Sequence, residues 1–350
     1  MNTTLPAHRS VNRIMTLVSL ALMPALLAYT WIFGWGVVLN VLLASLTAVA
    51  AEALFLKLRG KPFSAPLGDG SAVLTALLLC MALPPLLPWW VVVIGTLAAI
   101  VLGKQLYGGM GFNPFNPAMV GYVVLLISFP REMSMWLAPF GGEQPLGLAD
   151  VLRYVFIDQL PTPVVVSGAT PQVEAASGID AYTMATPLDS MKTGLGLEHT
   201  VGEIMAWPMF GYLGGSGWEI INALILLGGL WMLYARLITW HAPVAMLGSL
   251  FLIAAIFHLI DPQAYANPLF HVVTGGALLG AFFIATDPVS GATSLRGQLI
   301  FGAGVGLLTY IIRTWGGYPD GVAFSILLMN MAAPTIDYYT RPRVFGHKGG

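Results

Sequence analysis

Charge is scarce in this chain. Only 9% of its 350 residues are Asp, Glu, Lys or Arg, against about 25% in soluble globular domains. Fifteen basic and sixteen acidic residues nearly cancel to a net charge of −1, so the basic footprint that a nucleic-acid partner requires is missing. Cysteine is rarer still. The single thiol, Cys80, excludes an internal disulfide and any cluster ligated by this chain's own cysteines. It sits in an apolar run and reads as a small buried hydrophobe. No spacing of His, Cys and carboxylates resembles a metal site. The first ten residues lack the apolar core and cleavage site of a signal peptide.

Apolar residues are what the chain has in excess: 57% of the total, with a mean hydropathy of +0.79. That composition belongs to an integral membrane protein. Ten apolar segments run near 13–34, 36–56, 70–84, 89–108, 117–129, 217–237, 240–260, 272–287, 297–313 and 321–336. In lipid only helices satisfy every backbone polar group at such lengths. The expected fold is therefore an all-α membrane protein of ten transmembrane helices. A full span takes about 20 apolar residues, and the third, fifth, eighth and tenth segments are shorter.

The second five segments repeat the first five. Pro84 falls on Pro288 and Asn116 on Asp320 at one common offset, and the short segments fall on each other. An odd number of spans per repeat inverts the second copy relative to the first, the plan in which paired interrupted helices mark a site near the midplane. The expected organisation is a first five-helix repeat (1–129), a long extracytoplasmic loop (130–216), and a second repeat with a cytoplasmic tail (217–350). With both termini inside, eleven basic residues lie on the cytoplasmic side, Arg9, Arg13, Lys57, Lys104, Arg236 and Arg296 among them. Only Arg131, Arg153, Lys192 and Arg313 lie outside, as the positive-inside rule requires. The 130–216 stretch holds nine of the sixteen acids. Loops of this length are functional or disordered.

Within that stretch Asp180-Ala-Tyr-Thr-Met-Ala-Thr186 resembles the site where bacterial flavin transferases attach FMN through a phosphoester to threonine. The pattern is an Asp, a Ser or Thr three residues later, then Ala-Thr with the acceptor last. Asp180, Thr183, Ala185 and Thr186 fill those positions, with Met184 where a Gly is common. Two other stretches compete. Ser167-Gly-Ala-Thr170 lacks the Asp, because Val164 stands there. Asp287-Pro-Val-Ser-Gly-Ala-Thr293 fits the letters but falls on the cytoplasmic side, where it reads as a helix break whose polar groups bind something or cap the next helix.

Asn113-Pro-Phe-Asn116-Pro and Gly317-Tyr-Pro-Asp320-Gly are paired helix breaks. Structural capping explains them as well as a polar cavity lined by Asn113, Asn116, Asp287 and Asp320 that binds a flavin ring or an ion. Glu52, Asp69, Lys104 and Glu219 also lie in or at the ends of spans. Near an interface the ordinary state of such groups is solvated or snorkelling.

Longer stretches carry a family resemblance over essentially the whole chain. They include Lys104-Gln-Leu-Tyr-Gly-Gly, Asn113-Pro-Phe-Asn-Pro-Ala-Met-Val-Gly-Tyr-Val, Thr286-Asp-Pro, Gly316-Gly-Tyr-Pro-Asp-Gly-Val-Ala-Phe and Ile336-Asp-Tyr-Tyr-Thr-Arg-Pro-Arg. They resemble the NqrB/RnfD family of membrane subunits, and within it the RnfD (RsxD) branch of the bacterial Rnf electron-transport complex. NqrB-type chains of the sodium-pumping quinone reductase carry a longer N-terminal extension than the short lead here. The resemblance implies a membrane subunit without complete activity alone, in the bacterial inner membrane, with covalent FMN on Thr186 and a second, noncovalent flavin (riboflavin). It implies Rnf subunits A, B, C, E and G as partners and a flavin transferase for maturation. Electrons would pass between ferredoxin and NAD, coupled to Na+ or H+ movement. In enteric-type bacteria the implied alternative output is a reduced SoxR sensor. Thr186 is then an attachment point and no residue of the chain is catalytic. Two inverted five-helix halves also resemble the urea-transporter architecture, so a solute channel is the competing reading.

Overall fold

The computed structural model describes residues 11–61, 67–141, 146–159 and 182–340. Helices occupy all ten apolar segments. The first half is built from α1 (Val11–Phe33), α2 (Trp35–Leu58), α3 (Ser71–Cys80), α4 (Trp89–Leu97, continued by a π turn over Ala98–Leu102) and α5 (Pro117–Ser128). The connection contains α6 (Pro130–Ser134), β1 (Trp136–Leu137), α7 (Leu148–Ile157), β2 (Thr183–Met184), α8 (Pro187–Gly196) and α9 (Val201–Met205). The second half holds α10 (Trp218–Tyr234), α11 (His241–Ile260), α12 (Pro268–Val273), α13 (Ala277–Leu279, continued by a π turn over Gly280–Ile284), α14 (Leu295–Trp315) and α15 (Val322–Thr340).

Five of these are long and apolar enough to cross a membrane: α1, α2, the stretch Trp89–Tyr107, α11 and α14. The chain is thus a helical protein of membrane character. Two local departures from the sequence reading stand out. The eighth segment is not one helix but two, α12 and α13, parted at Thr274-Gly275-Gly276, with Gly275 at φ +67°. The connection is not featureless loop either. Its described residues carry four α-helices and an antiparallel ribbon pairing Trp136 with Met184 and Leu137 with Thr183.

Close helix approach rests on small residues. A Cβ on Gly228 of α10 would lie 2.3 Å from the Ala21 carbonyl of α1, and one on Gly306 of α14 would lie 2.1 Å from the Met246 carbonyl of α11. Without a hydrophobic drive between helices in lipid, such backbone contact supplies the dispersion that holds spans together. The Met81–Pro88 stretch after α3 is non-helical and buried at Leu83, Leu86 and Leu87. Its carbonyls are satisfied by neighbours, as irregular backbone away from water requires. Tyr29 donates its hydroxyl to the Leu83 carbonyl at 2.7 Å, and Asn40 donates to Pro84 and Pro85 at 3.0 and 3.2 Å. A separate small core of Leu188, Met191, Val201, Ile204, Phe210, Ala266 and Phe270 joins α8 and α9 to the start of α12.

Candidate functional site

Thr186 stands where β2 turns into α8. It is the N-cap of α8, in extended conformation (φ −70°, ψ 160°), and Pro187 occupies the first helical position, where a missing N–H costs nothing. Its Oγ1 accepts from the Asp189 backbone N–H at 3.2 Å. The side chain is half-buried, Ala185 beside it is exposed, and Thr183 lies in the ribbon. Asp180 and Thr170 fall outside the described residues.

Three contacts seat α8, the first on the end of the connection and the other two on the second half. Pro187 fills the space above Gly215, where a Cβ would lie 2.1 Å from its Cγ. Leu188 packs on Gly275, whose Cβ would lie 2.4 Å from Leu188 Cδ1 and 2.5 Å from an Asp320 oxygen. Lys192 donates from Nζ to the carbonyls of Arg313 (3.2 Å), Gly316 and Tyr318 (3.1 Å). These are carbonyls at and after the C-terminus of α14, where a cation complements the helix dipole. Burial lowers the Lys192 ammonium from its ordinary value, with Asp189 opposing; burial likewise raises the Asp189 carboxyl, with Lys192 opposing.

Below α8 lies the Arg313–Asp320 pair. The buried guanidinium donates to the carbonyls of His271 (2.5 Å) and Thr274 (3.1 Å), and from Nε to Asp320 Oδ1 at 3.2 Å. Asp320 in turn accepts from the N–H groups of Gly276 (2.7 Å) and Val322 (3.1 Å), so one carboxylate caps both α13 and α15. An outer cavity of about 310 Å³ opens among these elements. It is lined by Thr186, Leu188, Asp189, Thr274 to Gly276, Tyr318 and Asp320, with Tyr122, Trp136 and Trp218 as aromatic walls. The rings of Trp136 and Trp218 pack with centroids 4.9 Å apart.

A second, inner cavity of about 410 Å³ is lined by Ser71, Lys104, Asn113, Asn116, Arg236, Phe282, Phe283 and Asp287. Asn116 caps α5 by accepting from Met119 at 3.3 Å, and Asn113 donates to the Phe115 carbonyl at 3.0 Å. Asn330, midway along α15, accepts from the Asn116 N–H and donates to the Ser290 carbonyl, each at 3.0 Å. Asp287 accepts from Val289 N–H at 3.0 Å and from the Ser290 hydroxyl at 2.8 Å.

The candidate residues therefore divide. Asn113, Asn116 and Asp287 meet at the inner cavity; Thr186 and Asp320 meet at the outer one. The two breaks thus line different cavities. Thr293 stands just before α14 while Lys192 binds its far end, so the 21 residues of that helix, about 30 Å at 1.5 Å per residue, lie between Thr293 and the end to which α8 is tied. Thr293 is also committed elsewhere: its hydroxyl donates to Asp337 at 2.9 Å and its N–H at 2.8 Å. The helix that follows is capped by Ser294, whose hydroxyl accepts from the Gly297 N–H at 2.9 Å.

Glu52 and Lys104 also depart from expectation. Instead of reaching solvent they are 1% and 2% exposed and paired at 2.6 Å, with Gln105 donating to Glu52 at 2.8 Å and Lys104 to the Ser71 hydroxyl at 2.6 Å. Sequence reasoning missed Arg313, Asn330 and the role of Lys192. Arg313 and Asn330 are polar residues inside apolar runs, and that was the available signal. Nothing local marks Lys192.

Residues 2–346 match the profile of the NQR2, RnfD, RnfE family. The chain belongs to that family. It is 50% identical to the D subunit of the ion-translocating oxidoreductase complex of Escherichia fergusonii over 345 residues, 98% of this chain and 96% of the relative. The proteins of that name from Shigella dysenteriae serotype 1 and Escherichia coli strain SE11 are similar to the same degree and coverage. The family expected from the sequence motifs is the one found, and the relatives' names agree with a subunit of an enzyme complex.

Proposed function

We propose that the chain is the RnfD-type membrane subunit of an ion-translocating oxidoreductase complex, carrying FMN esterified to Thr186. The observation that supports this most is the setting of the Thr186 oxygen. It lies at the N-terminus of a ten-residue helix, accepting a backbone N–H, at the mouth of an aromatic-walled cavity. A phosphoryl group on that oxygen meets the positive end of a helix dipole. The cavity beyond, lined by Tyr122, Trp136, Trp218 and Tyr318, is within the size range of small-molecule sites and suits a planar apolar ring. Of the chain's own residues, Thr186 anchors, Pro187 and Leu188 fix the helix start, and the aromatic side chains orient the ring and exclude water. The bound flavin supplies the one- and two-electron redox chemistry.

The inner cavity, with Asn113, Asn116 and Asp287 as polar partners and Phe282 and Phe283 as walls, fits a second, noncovalent flavin such as riboflavin. Ten spans in two inverted repeats, with both termini cytoplasmic and Thr186 outside, accord with ten helical segments and the basic-residue bias. On this reading the chain works with the A, B, C, E and G subunits in the inner membrane. Electrons pass between ferredoxin and NAD, coupled to Na+ or H+, and a flavin transferase loads Thr186.

Ultraviolet fluorescence of the denatured chain in a gel tests the attachment. The expected result is a fluorescent band that Thr186→Val abolishes and that Thr170→Val and Thr293→Val leave intact. A dark wild-type band from the assembled complex favours the channel reading, and a fluorescent Thr186→Val band moves the anchor to another residue.

A further inference from the structure

The contact between Lys192 and the end of α14 goes beyond anchoring. The ammonium donates to three carbonyls, those of Arg313, Gly316 and Tyr318, which ring the turn leading from α14 into the Asp320 break. The Arg313 whose carbonyl it binds is the residue whose guanidinium holds Asp320, and Asp320 caps α13 and α15 where they border the outer cavity. Thr186 and Lys192 belong to one helical rise: Thr186 is the N-cap, and Lys192 lies within the second turn of α8. The other seats of α8 are apolar: Pro187 on Gly215, Leu188 on Gly275, and Leu188 and Met191 in the small core with Val201, Ile204 and Phe270. Among the described residues the Lys192 contact is the one with direction, because each donated hydrogen must meet a carbonyl oxygen.

We propose that Lys192 is a positioning residue for the redox reaction, fixing the register of α8 on the α14–α15 turn so that the group carried by Thr186 is held in the outer cavity. This rests on the reading of Thr186 as the flavin-bearing residue. The ammonium acts through the helix and not on the flavin itself. A neutral side chain of the same length leaves the apolar seats but frees the rotation and slide of α8, and the tethered ring then exchanges between the cavity and water. Arginine, which keeps the charge and the donors, restores most of the register.

The test uses the assembled complex with its native covalent flavin, comparing wild type, Lys192→Met and Lys192→Arg. Denatured-gel fluorescence is read first, because it reports attachment alone and stays equal in all three. Iodide quenching and fluorescence anisotropy of the native flavin are read next, with the midpoint potential of the flavin signal. Losing donations from a charged group shifts the docked-to-undocked ratio by roughly tenfold. Lys192→Met is expected to raise iodide access and lower anisotropy accordingly and to move the potential, while Lys192→Arg stays near wild type. Wild-type quenching, anisotropy and potential in Lys192→Met overturn the proposal, as does an equal defect in Lys192→Arg. Where Lys192→Met does not accumulate, Lys192→Gln is measured in its place with the same expectation and the same refutation. A dark wild-type band instead overturns the flavin reading, so the two failures are separable.

Discussion

Asp320→Ala is expected to be among the most destabilising single changes available in the second half. The carboxylate accepts from Gly276 and Val322, the N-terminal donors of α13 and α15, and pairs with Arg313, whose side chain is 1% exposed. Removing an N-cap acceptor costs about 1 kcal/mol at each helix start. Stripping the partner from a buried ion pair costs about 3–5 kcal/mol, because the remaining charge stays desolvated. Arg313 retains the His271 and Thr274 carbonyls, which puts the ion-pair loss at the lower end. The whole effect is then about 5 kcal/mol, a large share of the ~5–15 kcal/mol that typically separates folded from unfolded domains. Equilibrium unfolding of the purified chain in mixed lipid–detergent micelles measures it. A double-mutant cycle of Arg313→Met with Asp320→Asn isolates the pair, with a coupling of at least ~2 kcal/mol expected for contacting residues. A loss below ~1 kcal/mol for Asp320→Ala, or a negligible coupling, would refute the assignment of Asp320 as the common cap and counter-ion.

Other outcomes follow from single contacts. Gly306→Ala places a methyl 2.1 Å from the Met246 carbonyl and should cost about 1–3 kcal/mol by forcing α11 and α14 apart, read in the same unfolding assay; a neutral result excludes that close approach. Asn330→Leu removes both buried hydrogen bonds between α15 and the Asn116 and Ser290 backbone and leaves their polar groups unpaired, a loss of about 2–4 kcal/mol; unchanged stability contradicts the bridge. Burial raises the Asp189 carboxyl despite Lys192. Its contribution to stability is therefore full below the ordinary value near 4 and is lost as pH rises through the folded value. Asp189→Asn should flatten the pH dependence of amide-exchange protection in α8 as pH rises from the ordinary carboxylate value near 4, after correction for intrinsic exchange, and identical profiles dismiss it. Alkaline phosphatase fused at Gly142 should be active and at Gly350 inactive; the reverse at either point overturns the proposed topology.

The sequence by itself determined the membrane class, the positions of all ten helical segments and the family. Apolar runs of this length have one backbone solution in lipid, and motifs such as Gly316-Gly-Tyr-Pro-Asp-Gly-Val-Ala-Phe are local strings. The N-cap at Thr186 with Pro187 after it is likewise written within a few consecutive residues. Pairings between distant segments were decided only by tertiary structure. Lys192 meets the Tyr318 carbonyl across 126 positions, Asn116 meets Asn330 across 214, and Glu52 finds Lys104 between α2 and the end of the fourth span. No periodicity encodes such contacts, since they depend on which helix ends the packing of small residues brings together. The same packing split the two helix breaks between two cavities. Their shared chemistry, Asn or Asp beside Pro, is a property of chain positions, while the cavity each one lines is set by the distant segments packed against it.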